Sequence, residues 1–232
     1  NLDAEFNYDP HALHTLDNSI RDVVFVRSDG HVGIGNVSSQ NITDDLVVSG
    51  NVVFKSNAFG DQPVATSGSG SRLMWIPHKA AFRAGFVDNN EWDNTNIGYN
   101  SIVLGHSGLA NQNNTAIIGG KLNTVESEGS VIVGGYRNSI GSNSNYSVII
   151  GGGSSTGKGN QINEGQHSAI IGGQNNYVTG NYSTIIGAQN GKISGNYSVG
   201  LGSNFKINHN NSFIFSDGTA TRQTTSSNQF LI

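Results

Sequence analysis

The 232-residue sequence predicts an all-β protein built around a parallel β-solenoid. Three observations lead to this fold class: the composition, a short apolar phrase that recurs eight times, and a second apolar position within each repeat. Apolar residues make up 35% and charged residues 12%, with 32 glycines, which suits many short strands joined by tight turns. The net charge of −4 and the lack of a basic patch argue against a nucleic-acid partner.

The recurring phrase is a Ser or Thr, three mostly apolar residues and usually a Gly, as in SIVLG, TAIIG and SVIIG. It lies between residues 101 and 216, with successive spacings of 14, 15, 17, 21, 15, 15 and 14 residues. This period predicts about eight stacked coils of 14–15 residues, with the insertions placed in turns. A helix is excluded because each of the frequent glycines would cost about 1 kcal/mol in one.

Each coil must reverse direction twice, which requires residues with positive φ. We assign this role to the turn glycines of the phrase: Gly105, Gly119, Gly134, Gly151, Gly172, Gly187 and Gly202. A second aliphatic residue follows most of them, so we expect two strands per coil, with these residues on the second one: Val125, Ile140, Ile162, Val178, Ile193 and Ile207. Asparagines near the second corner could form hydrogen-bonded ladders between coils: Asn123, Asn138, Asn176 and Asn190.

The three central residues of the phrase alternate between the two sides of a strand, and both sides are apolar. A strand that is apolar on both sides is normally covered on both sides. We expect the second central position to form a core stripe that also serves as an oligomer interface: Val103, Ile117, Ile132, Ile149, Ile170, Ile185 and Ile214. An exposed stripe of this size is unusual for a monomer, so we predict self-association along the solenoid axis.

The phrase Ser-Val-(Ala/Ile)-Ile-Gly at this spacing resembles the head repeats of trimeric autotransporter adhesins, the YadA-like family, and related repeats in phage tail fibres. The resemblance covers roughly residues 98–218. It implies a left-handed β-roll in a homotrimer, on a cell surface or a virion tail. The middle residue is often Ala in that family and Ile here, which bears on how closely the chains pack.

We divide the chain into five regions: a β-rich fibre module (1–55), a linker (56–72), an aromatic cap (73–100), the repeats (101–216) and a C-terminal strand or connector (217–232). In the first region, VGIG and LVVSGNVVF resemble small modules of tail-fibre and surface-fibre proteins, with turn signals at Asp29-Gly30 and Gly50-Asn51. Large apolar residues before the repeats suit a cover for the open end of the stack: Met74, Trp75, Ile76, Phe82, Phe86 and Trp92. We expect the chain to be part of a longer fibre.

No catalytic residue, cofactor or metal site is predicted. Within the repeats, the acidic residues before Asp217 are Glu126, Glu128 and Glu164, all in turns, whereas enzymes on this kind of fold need clustered carboxylates. Cysteine is absent, which excludes disulfides and thiolate chemistry.

Three further groups of residues have some of the ligands that a metal site needs. Asp88, Glu91 and Asp93 could form an oxygen cage for calcium, but their spacing matches no established loop. His106 or His167 could bind an ion on a trimer axis. The HALH pair at His11 and His14 lacks further ligands. We expect all three to be structural surface features.

Two functional classes remain. The first is a structural or adhesive fibre module that presents its turns to a host surface, matrix or carbohydrate. The second is a subunit of a self-polymerising, head-to-tail extracellular filament; a phage tail-fibre segment is a further alternative. The recurring NYS places Tyr146, Tyr182 and Tyr197 at similar coil positions, where an aromatic row could bind sugars, although we expect structural stacking. No apolar run reaches the roughly 20 residues needed to span a bilayer, so direct membrane insertion is not expected.

Overall fold

The structure, a computed structural model, describes residues 24–26, 32–35, 46–49, 67–157 and 159–232. The chain forms two compact units that divide between Lys55 and Ser56. The described residues are almost entirely β-strand and turn, without an α-helix, and none of their segments is a helix able to cross a membrane.

The first unit contains a three-stranded sheet. Its strands are β1 (Val24–Val26), β2 (Val32–Gly35) and β3 (Leu46–Ser49). Strands β1 and β2 pair antiparallel, and β2 and β3 pair in parallel. The turn signals at 29–30 and 50–51, and the HALH pair, lie outside the described residues.

The second unit begins with a hairpin of β4 (Gly70–Ile76) and β5 (Ala81–Val87), joined through a short 3-10 turn at Pro77–Lys79. Strand β4 therefore starts within the predicted linker, while residues 56–66 lie outside the described part. A second 3-10 turn follows at Asn94–Asn96. Strand β5 pairs in parallel with the first repeat strand, Phe82 opposite Ile102, so the hairpin is the first layer of the stack.

The remaining strands alternate between longer and shorter ones. In chain order they are β6 (Ile102–His106), β7 (Leu109–Ala110), β8 (Ala116–Lys121), β9 (Thr124–Val125), β10 (Val131–Val133), β11 (Ser139–Ile140), β12 (Val148–Ile150), β13 (Gln161–Ile162), β14 (Ala169–Ile171), β15 (Tyr177–Val178), β16 (Thr184–Gln189), β17 (Lys192–Ile193), β18 (Val199–Ile207), β19 (Phe213–Gln223) and β20 (Phe230–Leu231).

These strands stack in register as a parallel β-solenoid of about nine turns, which confirms the predicted fold class. Equivalent residues of successive repeats lie opposite one another, as Ile132, Ile149 and Ile170 do in β10, β12 and β14. The stack is longer than the eight predicted coils because β5 and β20 add layers outside the repeated phrase.

The corners explain the glycine pattern. All seven turn glycines have positive φ, between 60° and 128°. At the other corner, the residue before each phrase Ser or Thr is also left-handed, and there the sequence uses Asn, Gly, Tyr or His, such as Asn114, Gly129, Tyr146 and His167. The insertion in the fourth interval forms an exposed bend at residues 155–157, outside the strands.

Candidate interaction surface

The stripe at the second central position faces the inside of its own coil. All seven of its side chains, from Val103 to Ile214, are at most 1% exposed in the single chain. They pack against the aliphatic residues of the second strand in each coil, which are fully buried. A side chain enclosed by its own coil has no surface left for a sister chain, so the expectation that this stripe is the oligomer interface is corrected. The stripe is the core.

The first and third central positions therefore point outward. The third position keeps large aliphatic groups in solvent: Ile118 is 45% exposed, Ile150 43% and Ile171 39%. The first position is mostly half-buried and smaller, with Val148 and Ala169 as examples. Together the two positions form two apolar columns along the longer strands, which we call the apolar face.

The apolar face extends beyond the repeats at both ends. In the hairpin, Trp75 lies opposite Phe82, and Phe82 lies opposite Ile102 of the first repeat. At the other end Phe213 lies opposite Phe230, with ring centroids 4.9 Å apart. Ten parallel layers spaced by ~4.8 Å make a face roughly 45 Å long. Of the residues predicted to cap the stack, Ile76 and Trp92 are buried, whereas Trp75 continues the exposed apolar surface.

The outward side of the shorter strands is different in character. Its residues are largely polar: Leu109, Thr124, Ser139, Gln161, Tyr177, Lys192 and Lys206. We call this the polar face. Lys192 lies over the Tyr177 ring at 5.4 Å, so even its aromatic member is covered by a charged group. One solenoid thus has an ordinary solvated side and a continuous apolar side.

Buried amides form a ladder inside the second corner. The side-chain oxygens of Asn123, Asn138, Asn160 and Asn176 each accept a hydrogen bond from the backbone N–H one layer on, at 2.8–3.1 Å. Their Nδ2 groups donate to corner carbonyls, such as that of Gly152. Asn190, predicted as a member, instead lies in an exposed column with Asn175, because it follows its turn glycine by one residue fewer.

A second buried ladder uses the hydroxyl that opens each phrase. Ser147 donates its backbone N–H to the Oγ of Ser130, and Ser168 donates to Ser147, both at 3.0 Å. The same pattern continues through Ser183 and Ser198. This role was not predicted from the sequence, although the Ser or Thr that opens every phrase is its signal.

One coil departs from the common core. Phe205 occupies the position of the buried asparagines, and its ring fills the interior where the stripe has Gly200. A Cβ at Gly200 would collide with that ring, and one at Gly191 would lie 2.6 Å from its Cζ. Two glycines thus make room for one phenylalanine. The break in the stripe was visible in the sequence, but its compensation by Phe205 was not.

The predicted aromatic row is present and includes a histidine. Tyr146, His167, Tyr182 and Tyr197 stack along the axis with centroids 4.9–5.2 Å apart and interplanar angles of 2–18°. They occupy the left-handed corner, and all four are exposed. His167 therefore stacks between two tyrosines.

The hairpin closes the interior with a buried arginine. Arg83 lies opposite Val103 in the core column and is fully buried. Its guanidinium donates to the Ser101 carbonyl at 2.9 Å, the Ser101 hydroxyl at 2.8 Å and the Ala110 carbonyl at 3.2 Å. Burial lowers its pKa to about 10. Nothing in the repeat pattern predicted a role for Arg83.

The weaker metal patterns are used in other contacts. Asp88 accepts from the Ser107 hydroxyl and pairs with His106 Nε2, both at 2.9 Å; the hydrogen bond from Ser107, followed by that with His106, lowers the Asp88 pKa. Asp93 accepts from the backbone of Gly68, and Glu91 from Asn89. Within residues 67–157 and 159–232 no three His, Asp or Glu side chains converge on a metal-sized site.

Comparisons with known proteins add no further constraint. No protein-family model matches this sequence, and no curated protein matches it either.

Proposed function

We propose that this chain is a structural and adhesive module of an extracellular fibre, held in a homotrimer through its apolar face. The supporting observation is the contrast between the two outward sides of the solenoid. Exposed isoleucines recur at the same place in successive layers on one side, while Thr, Ser, Gln and Lys occupy the other. Large contiguous apolar surfaces on soluble proteins mark interaction sites.

A second copy of the chain is the partner that fits this face best. The face repeats with the solenoid period, so an identical face can match it layer by layer. The number three follows from the resemblance of the repeats to trimeric adhesin heads. A catalytic role is not part of the proposal, because the exposed glutamates do not gather in a cleft: Glu126 and Glu128 share one turn, and Glu164 lies in another.

The test compares the solution mass of the wild type with that of two variants, one altered on the apolar face and one, as a matched control, on the polar face. The double variant Ile150→Asp/Ile171→Asp places two charges on the apolar face, and Ser139→Asp/Gln161→Asp places two on the polar face. We expect native mass spectrometry to give three chains for the wild type and the control, and single folded chains for the apolar-face variant.

Other outcomes are equally informative. A monomeric wild type in dilute buffer contradicts the proposal, as does an apolar-face variant that stays trimeric. Open polymers from the wild type, seen as continuous fibres in negative-stain images, favour the filament alternative over a discrete trimer.

A further inference from the structure

The aromatic row has one ring whose outer side is open. Inner rings cover one another, and the Tyr146 ring lies against Gly129, where an added Cβ would be 2.6 Å from Cδ1. Beyond Tyr197 the next corner residue is Asn211, whose side chain is much shorter than a phenol. Tyr197 is the most exposed tyrosine of the row at 61%, against 58% for Tyr146 at the other end and 51% for Tyr182, which has a ring on both sides.

This open ring forms part of a shallow surface groove, broadly open to solvent, with a volume of about 390 Å³. One wall is the stacked pair of Phe213 and Phe230, and the rest is largely amide, from Asn211, Asn228 and their neighbours. No charged side chain lines it. A groove with an aromatic face, an apolar wall and amide groups suits a neutral ligand that has both an apolar and a hydroxylated side.

Two of the amides are available to such a ligand. Elsewhere in the exposed corner columns asparagine amides bond to each other, as Asn100 does to Asn114 at 3.2 Å and Asn175 to Asn190 at 2.8 Å. The side chains of Asn211 and Asn228 are exposed and make no hydrogen bond within the described residues. Each amide offers both a donor and an acceptor, which matches a pair of neighbouring hydroxyls.

We propose that this groove is a binding subsite for a neutral hexopyranose, with the sugar's C–H face against Tyr197 and its hydroxyls bonded to Asn211 and Asn228. The inference deepens the adhesive role proposed above by naming carbohydrate as the surface that is recognised. The groove lies where the aromatic corner meets the apolar face, since Tyr197 and Asn211 belong to the corner and Val199 and Phe213 to the apolar face. The subsite is therefore at the rim of the proposed trimer contact.

Saturation-transfer difference NMR with methyl β-D-glucopyranoside and methyl β-D-galactopyranoside tests the subsite. We expect saturation transfer to at least one glycoside with the wild-type chain, and at least a tenfold loss of signal in Tyr197→Asn, which keeps a residue suited to the left-handed corner. Tyr146→Asn, at the covered end of the row, should retain the signal.

The absence of transfer from the wild type to both glycosides overturns the proposal, and so does a signal that Tyr197→Asn leaves unchanged. Native mass spectrometry on the same samples separates this failure from that of the proposed assembly. A trimer that binds neither glycoside contradicts only the subsite, whereas a monomer that binds one contradicts only the trimer.

Discussion

Ile149 and Ile150 are neighbours in β12, yet they belong to two different regions of the molecule. Ile149 is fully buried inside the coil, while Ile150 is 43% exposed on the apolar face. The same contrast separates the buried asparagine ladder from the exposed one. Residue type alone does not determine the role here: the position within the coil decides whether an isoleucine forms the core or is available to a partner.

The largest expected effect comes from charging the interior. Ile149→Asp would place an unpaired carboxylate in a column of aliphatic side chains, where it has neither water nor a donor. We expect a destabilisation above about 4 kcal/mol, enough to prevent folding of the coils around β12. Far-ultraviolet circular dichroism and urea unfolding measure the loss.

Ile150→Asp is the matched control, one residue away and on the outside. Its carboxylate reaches solvent, so the variant should keep the circular dichroism spectrum of a folded β-protein even if the mass of its assembly falls to that of one chain. If both variants unfold, the apolar face supports folding of each chain and not only its association. If Ile149→Asp folds normally, the interior assignment is wrong.

The sequence was sufficient to predict the repeat period, the parallel stacking of the strands and the left-handed backbone at the glycine corners. Gly134 and Gly151 illustrate why: a left-handed glycine corner every 14–21 residues leaves few alternatives to a coil. Alternation along a strand separates its side chains into two sides but does not say which side faces the interior. For that reason the sequence did not predict which central position of the phrase forms the core. The inner side does have a weak signal, since Thr184 and Ala169 occur at the outer first position while the second is almost uniformly branched aliphatic.

The sequence also did not predict contacts in which one residue fills space or satisfies groups left by residues elsewhere in the chain. Phe205 enters the interior because Gly191, just before β17, and Gly200, in β18, leave space for it. Arg83 is buried because carbonyls of Ser101 and Ala110 converge at the end of the stack. Phe205 and Gly200 occupy different positions of the repeat, as do Arg83, Ser101 and Ala110, so a search for periodicity cannot find these contacts.

A prediction of intermediate size concerns the pairing of Gly200 with Phe205 in the interior. Gly200→Ile restores the common stripe residue but collides with the Phe205 ring, and we expect it to cost about 1–3 kcal/mol or more through overpacking. Adding Phe205→Asn recreates both common residues of a repeat. The double variant should therefore be more stable than the sum of the two single effects, with a coupling of about 0.5–3 kcal/mol. Urea unfolding of all four proteins measures the cycle, and additive effects would contradict the steric link.

The smallest effect compares the same hydrogen bond inside and outside the coil. Asn138 Oδ1 accepts the buried N–H of Asn160 at 3.0 Å, and Asn181 Oδ1 accepts the exposed N–H of Gln166 at 2.8 Å. Neither asparagine has a left-handed backbone, so alanine adds no corner strain at either position. Asn138→Ala leaves a buried donor without a partner and should cost about 1–3 kcal/mol, while water replaces the lost acceptor in Asn181→Ala, which should cost under about 1 kcal/mol.

Hydrogen exchange adds a local readout: the Asn160 amide should lose protection in the first variant, and the Gln166 amide should change little in the second. Equal costs for the two variants would mean that the amide ladders stabilise the coils regardless of burial, and would remove burial as the distinction between them.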